Sequence, residues 1–331
     1  MAHGGGGRLM KRLMDELIIP TLNLEEASAM HDAFRFEDRG EGVETAFTTD
    51  SYVVKPLEFP GGDIGCLSVY GTVNDLAMSG AQAVYLSLGL IIEEGLDITL
   101  LHRLLVSMRK AADETGVRIV TGDTKVVDHG KGDGLYINTA GIGYVNKSIN
   151  IHPSRIMPGD YVIQSGDLGR HGIAIMAERE GLKFDSTIKS DCASLSEAVQ
   201  SLIKNNIDIH CLRDITRGGL ASVLNELAQA AGVGIELEEE LISINKEVNA
   251  ACELLGLDPL YVACEGRMVV VVKESDVDIT LQCLLENEPT RDSVVIGRVV
   301  EQKKNAVTLL NKFGAERVLN LLSGEQLPRI C

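Results

Sequence analysis

The 331-residue chain has no tryptophan and only six phenylalanines and seven tyrosines. That leaves little aromatic surface on which nucleobases could stack. Positive charge is also in deficit, with a formal net charge of −17, so a nucleic acid backbone finds no basic surface and is not an expected partner. No apolar run has the length of a bilayer span. The opening residues, which include Arg8, Lys11, Arg12 and Asp15, lack the apolar core of a secretory signal, so a cytoplasmic protein without a membrane partner is expected. Seven cysteines form an odd, scattered set. They include no Cys-x-x-Cys pair and no cysteine–histidine cluster with zinc spacing, so neither a disulfide framework nor a zinc site is expected. Neither common nucleotide loop, G-x-x-x-x-G-K-[ST] or G-x-G-x-x-G, occurs.

What is present is an ordinary globular composition, 45% hydrophobic and 24% charged, in a chain long enough for two cores. Alternating character predicts a strand from Val43 to Asp50, helix near 65–80 and a strand over 83–92. Asp97 caps a helix whose apolar face is Leu101, Leu104, Leu105, Met108 and Ala112. Strands follow at 117–120 and 135–145. The segment from His152 to Asp160, with Pro153, Pro158 and Gly159, ends one unit and begins another. Beyond it come a strand at 161–164, helices near 171–181 and 195–205, and a strand at 208–212. A helix with Leu220, Val223, Leu224, Leu227 and Ala231 on one face follows, then strands at 268–272 and 293–299. No short-period repeat is present. The expectation is two mixed α+β domains, 1–150 (with a glycine-rich opening over 1–30) and 151–315, followed by a mobile tail over 316–331.

Several groups carry chemistry. The sequence ends on Cys331, a thiol that a flexible tail can carry into a site as nucleophile or carrier; alone, it is equally a stray surface thiol. His3 precedes Gly4, Gly5, Gly6 and Gly7, whose amides can approach a phosphate closely, although a loose terminus has the same composition. Asp50, Asp75, Asp123 and Asp214 each stand within a few residues of Gly or Thr, in loops or at element ends. Each by itself reads first as a cap or turn residue. Together they suit Mg²⁺, a hard cation held by a few acidic oxygens and nucleotide phosphates. Lys125 can place a point charge beside phosphates, and Gly218 and Gly219 open a helix whose amides can face an anion.

The His-Gly-Gly-Gly-Gly opening, Thr48-Thr49-Asp50-Ser51-Tyr52 and Asn74-Asp75-Leu76-Ala77-Met78-Ser79-Gly80 stand in a recognisable order. So do Gly122-Asp123-Thr124-Lys125, Arg213-Asp214-Ile215-Thr216-Arg217-Gly218-Gly219, Glu265-Gly266-Arg267 and the final Pro328-Arg329-Ile330-Cys331. This series resembles the HypE family of hydrogenase-maturation proteins, within the PurM-like (aminoimidazole ribonucleotide synthetase-related) ATP-binding superfamily. The internal motifs are shared by the superfamily, whereas the Pro-Arg-Ile-Cys ending makes the resemblance specific; Gly5 departs from the Ser or Ala more frequent there.

The resemblance implies an N-terminal half-barrel sheet with helices, paired into a dimeric β-barrel in a homodimer, and a C-terminal α/β sandwich. It implies that a HypF partner loads a carbamoyl group onto Cys331, that ATP converts it to a thiocyanate, and that a HypC–HypD complex accepts the cyanide. His3, Gly4 to Gly7, Asp50, Asp75, Asp123, Lys125, Thr216, Arg217, Gly218 and Gly219 would hold ATP. Asp50, Asp75, Asp123 and Asp214 would hold Mg²⁺. Glu265 is the candidate base, with Asp75 or Lys125 as alternatives, and a plain salt bridge from Glu265 to Arg267 is the competing reading. A selenophosphate synthetase or thiamine-phosphate kinase would leave the terminal motif unexplained, and the former lacks its expected cysteine before Cys66. A non-catalytic ATP-binding scaffold is the rival of another class. Whether the tail rests inside or outside the site without ATP stays open, and an order–disorder switch of its last ~15 residues is expected.

Overall fold

The computed structural model describes residues 8–18, 33–36, 42–181, 188–322 and 330–331. The expected phosphate loop, His3 to Gly7, and residues 323–329 lie outside the described residues. After a short helix α1 (Arg8–Leu13), the N-terminal unit is built from β1 (Phe34–Phe36), β2 (Val43–Tyr52), a small hairpin of β3 (Glu58–Phe59) and β4 (Gly62–Asp63), and helix α2 (Ile64–Met78). It continues with β5 (Gln82–Glu93), α3 (Ile98–Thr115), β6 (Arg118–Val127) and β7 (Leu135–Asn146). Its sheet has the order β1-β2-β7-β5-β6. β5 and β6 are parallel neighbours, and α3 supplies the crossover such a pair needs.

β7 alternates buried and more open positions along its whole length, as expected of a sheet with one covered face. Helix α2 covers that face and is itself enclosed: Asp75 is its only residue that is not fully buried. The close approach of α2 to α3 depends on Gly65, where a Cβ would collide with the carbonyl oxygen of Leu104. Asp97 caps α3 by accepting from the Thr99 amide, and Gly116 ends it at φ 71°. The buried stripe of α3 is Leu104, Met108, Ala111 and Ala112; Leu105, expected inside, is exposed. The opposite face of the sheet is open, and β6 is exposed along nearly its whole length.

The C-terminal unit comprises β8 (Tyr161–Gln164), α4 (Arg170–Glu180), α5 (Ser196–Lys204), β9 (Ile209–Asp214), α6 (Gly219–Ala231), β10 (Gly234–Glu238) and α7 (Lys246–Leu255). It is completed by β11 (Met268–Val272), α8 (Val277–Leu285), β12 (Val294–Val300), β13 (Val307–Leu310) and β14 (Glu316–Val318). These strands form one sheet of order β14-β13-β10-β12-β8-β11-β9. Leu220, Leu224 and Leu227 of α6 pack with Val269 and Val271 on one face. Leu202 and Leu284, from α5 and α8, pack with Val270 and Val272 on the other. β11 is therefore buried on both faces, which explains its uninterrupted apolar run. Met78 from the end of α2 joins the second core, so the two units share packing.

The expected tail begins later than Glu316. Glu316 to Val318 add a strand to β13, Leu319 is fully buried, and Asn225 Nδ2 donates to its carbonyl at 2.8 Å. The paired backbone and the apolar Leu319 side chain tie this segment to the sheet. The sequence ends inside the molecule: Ile330 and Cys331 are 5% and 8% exposed and belong to the N-terminal core cluster.

Candidate functional site

The site lies where β2 and α2 of the first unit meet the loops around β9 and β11 of the second. In β2, Ala46, Thr48, Asp50 and Tyr52 point to the helix-covered face. Tyr52 hydroxyl and Thr72 Oγ1 are 3.2 Å apart, and Thr48 Oγ1 donates to Asp75 Oδ2 at 3.0 Å. Asp50 accepts from the Ser51 amide at 2.7 Å. From the second unit, Asp214 ends β9 and the Ile215–Gly219 turn leads into α6. The Cys264 amide donates to Ile215 carbonyl and the Ile215 amide to Arg267 carbonyl, which sets the Glu265 loop beside that turn. Gly219 has φ 63°, and a Cβ there would lie 2.6 Å from Leu260 carbonyl oxygen, so only glycine allows the turn to sit against residues 260–261.

Cys331 occupies this junction. Arg217 Nε donates to its Sγ at 2.9 Å, and the Val53 amide donates to its carbonyl oxygen at 3.2 Å. Burial pushes the thiol up to about 12, against the opposing pull of Arg217. The seated sulfur is thus a protonated thiol at neutral pH, not a ready nucleophile.

Acidic groups surround it. Burial first, then the charges of Asp214, Asp50 and Asp191, push Glu265 well above the usual carboxylate range. Burial and the Asp50 charge hold Asp214 at about 6, and burial raises Asp50 as well. Glu265 Oε1 and Asp191 Oδ2 have no hydrogen-bond partner. The plain salt bridge to Arg267 does not form. Arg267 Nη2 donates to Asp167 Oδ1 at 2.9 Å, and the rest of its guanidinium is spent on backbone carbonyls. Glu265 is left as a buried carboxyl with a free oxygen, the condition of a group reserved for proton transfer.

The structure thus gathers Cys331, Arg217, Glu265, Asp50 and Asp214. Thr216, Gly218 and Gly219 line the turn behind Arg217, and Asp75 is tethered to β2. Asp123 and Lys125 are not in the group. Register across the sheet aligns Ser51 with Asn138, Asn138 with Gly89, and Gly89 with Asp123. Asp123 therefore projects from the open face, opposite to Asp50, where it pairs with Lys125 in solvent. The expected four-aspartate Mg²⁺ set is not assembled within one chain, and no cluster of three metal-ligating side chains occurs among the described residues. Asp50 and Asp214 are nonetheless hard donors, both raised by burial and Asp214 further by the Asp50 charge, a condition that a cation relieves.

Sequence reasoning passed over two residues here. Asp191 accepts from the Glu265 amide at 2.9 Å, and His171 donates through Nε2 to the Ile330 carbonyl. Neither sits in a recognisable motif, and both reach the site through loops and helices distant in sequence.

Known proteins resemble this chain over its whole length. The N-terminal domain of the AIR synthase related protein family matches residues 29–145, and its C-terminal domain residues 157–310. The carbamoyl dehydratase HypE of Cupriavidus necator is 46% identical over 331 residues, covering all of this chain and 94% of that protein. A solved HypE–HypF complex contains a chain superposing with a TM-score of 0.88 at 41% identity, over 94% of this chain and 99% of that one. A HypE structure in complex with ATP gives 0.84 at 42% identity, over 99% and 98%. With the family's two domains in order and the similarity running the full length to Cys331, this chain belongs to the AIR synthase related proteins and, among them, to the HypE carbamoyl dehydratases.

Proposed function

We propose that this protein dehydrates a carbamoyl group carried on Cys331 to a thiocyanate at the expense of ATP, as a source of cyanide for the iron of [NiFe]-hydrogenase. The observation that carries the reading is the seat of Cys331: its sulfur rests against Arg217, within a buried group of carboxyls whose pKa values are raised. A raised carboxyl beside a carrier sulfur suits removal of amide protons. The amide oxygen of the S-carboxamide attacks the γ-phosphorus of ATP and releases ADP. Loss of the two amide protons and departure of phosphate then leave the nitrile. Glu265 is the base, Arg217 holds the sulfur in place, and the low dielectric of the site strengthens both contacts.

Loading requires the other state of the tail. A thiol held at about 12 by burial is a poor nucleophile, so carbamoylation by a HypF partner takes place with Cys331 withdrawn into solvent, and dehydration with it seated. The cyanide passes to a HypC–HypD complex. Asp50 and Asp214 would be the protein ligands of a Mg²⁺ ion accompanying ATP, where it would neutralise phosphate charge; such ions commonly need only one or two carboxylates.

A homodimer completes the site. Phe47, Ile142 and Tyr144 expose apolar surface on the open face of the first sheet, and Ile119, Val120 and Val126 do so on its edge strand. Surface of this kind is normally covered. Closure by a second copy would also take Asp123 and Lys125 out of solvent, so any work they do on phosphate or metal needs that dimer. No helix among the described residues is long and apolar enough to cross a membrane, and the free thiols suit a reducing cytoplasm.

The test is intact mass of the C-terminal peptide after incubation with HypF, carbamoyl phosphate and Mg-ATP. Appearance of a carbamoyl adduct that then loses one water is the expected result. ATP consumption with an unmodified Cys331 would overturn the assignment.

A further inference from the structure

The last two residues are held at three points. Arg217 holds the sulfur, the Val53 amide holds the Cys331 carbonyl oxygen, and His171 holds the Ile330 carbonyl. His171 is fully buried on α4, and its ring stands edge-on to Phe59 at 5.4 Å between centroids. The partners of its two nitrogens assign their roles. A carbonyl oxygen can only accept, so Nε2 carries the proton and donates to Ile330. Nδ1 lies 2.8 Å from Ser190 Oγ and, in the neutral ring, accepts the serine proton. Ser190 Oγ itself accepts from the Cys192 amide at 3.0 Å. The three donors, Cys192 amide, Ser190 hydroxyl and His171 ring, therefore point the same way, ending on the Ile330 carbonyl as acceptor. Burial lowers the His171 pKa, in keeping with a neutral ring. Ser190 is anchored by its own amide, which donates to Pro60 carbonyl at 2.8 Å.

We propose that the Ser190–His171 relay is the latch that seats the carrier segment, making His171 a positioning residue for the dehydration step. It touches neither the sulfur nor the carbamoyl group. It fixes the backbone one residue before Cys331, so that the sulfur meets Arg217 and an attached group meets Glu265. A backbone carbonyl is a suitable handle for a carrier, because it is unchanged by what the thiol carries: free, carbamoylated and dehydrated forms engage the latch alike. Seating is thus separated from chemistry, and release gives up the three hydrogen bonds of the last two residues together with the burial of the Ile330 side chain. Its catalytic consequence rests on the carbamoyl dehydratase reading; the latch itself does not.

The experiment uses the full-length protein and the variants His171→Phe, His171→Gln and Ser190→Ala. Phe keeps an aromatic ring against Phe59 and removes the donor, and Gln restores an N–H near the Nε2 position. Iodoacetamide labelling of Cys331 is followed by mass spectrometry, with the fully buried Cys264 as fold reference in the same sample. Loss of one hydrogen bond predicts labelling of Cys331 about fivefold faster in His171→Phe, with Cys264 still protected and His171→Gln close to wild type. Equal labelling in wild type and His171→Phe, or no rescue by Gln, overturns the latch. If His171→Phe exposes Cys264 through misfolding, Ser190→Ala takes its place in the same comparison, and unchanged Cys331 labelling there overturns the proposal. A second readout follows the carbamoylated peptide: His171→Phe should load at least as fast as wild type and dehydrate more slowly, because the loosened backbone no longer sets the carried group against Glu265. Wild-type dehydration in the variant refutes a positioning role, whereas absence of dehydration in the wild-type protein refutes the functional reading and leaves the latch to the labelling result.

Discussion

Arg217 Nε donates to Cys331 Sγ across 2.9 Å, bringing the last residue of the sequence to the turn that precedes α6. The contact joins two segments 114 residues apart and places a guanidinium at the sulfur, among Glu265, Asp50 and Asp214. Burial drives the thiol up and the guanidinium draws it back.

Replacing Arg217 with Met therefore removes both an orienting donor and the positive charge. Dehydration of carbamoylated protein should fall by about 10²-fold, the usual loss for a donor aimed at a reacting group. Loading should not fall, since the withdrawn thiol does not meet Arg217. Single-turnover mass spectrometry of the C-terminal peptide separates the two steps, and equal losses in both would show that Arg217 acts before seating.

Glu265→Gln tests the base. Burial and three like charges already favour a neutral side chain at this position, so the amide should fold at least as stably as the acid. It cannot accept the amide protons, and dehydration should drop by roughly 10²- to 10⁴-fold. The peptide should accumulate at the carbamoyl mass with ATP present. Normal thiocyanate formation would move the base role to Asp75 or another residue.

Much of this site was legible in advance because its residues occupy element ends that their own sequence dictates. Asp97 announced the start of α3, and the Arg213–Gly219 motif announced a turn into a helix. Asp123 shows the limit. In sequence it is one of four similar aspartates, but strand register decides its face, and its pairing through Gly89 and Asn138 to Ser51 puts it opposite Asp50. Periodicity in β6 could not supply this, since an edge strand open to solvent carries no burial pattern. His171 illustrates the converse. Its neighbours Arg170 and Gly172 look like any helix start, and its role arises from a contact 159 residues away in the chain. The strand at Glu316–Val318 was read as tail because three polar-edged residues make a strand only when β13 is there to pair with them.

Asp214 gives a pH prediction. Its pKa stands at about 6 in the folded protein, against an ordinary value of 3.8. Between these values the folded state binds more protons than the unfolded state, so stability falls as pH rises through that window and is regained on acidification. The cost at neutral pH is on the order of 3 kcal/mol for a shift of this size. In the absence of nucleotide and metal, thermal melts should show Tm rising from pH 7 towards pH 5, and Asp214→Asn should be more stable than wild type at pH 7 with a flatter profile. A cation placed between Asp50 and Asp214 should lower both pKa values and flatten the wild-type profile in the same way. An unchanged slope in Asp214→Asn would assign the pH dependence to another group.

The open face of the first sheet yields the last test. Phe47 and Ile142 are cross-strand partners on β2 and β7, exposed by 38% and 37%, and they project from the face opposite α2. If a second copy covers this face, a carboxylate pair placed there must be buried without partners, at a cost that a marginal interface does not survive. Phe47→Glu with Ile142→Glu should convert a dimer into a monomer by light scattering after size exclusion, with the far-UV circular dichroism unchanged because neither side chain supports the helix-covered core. Iodoacetamide protection of Cys331 should persist in that monomer, since all three groups that hold the last two residues belong to the same chain. ATP-dependent dehydration should fail if Asp123 and Lys125 act only from within the dimer. A monomeric variant with full dehydratase activity would show that these two residues, and the assembly that enfolds them, are dispensable for the chemistry at Cys331.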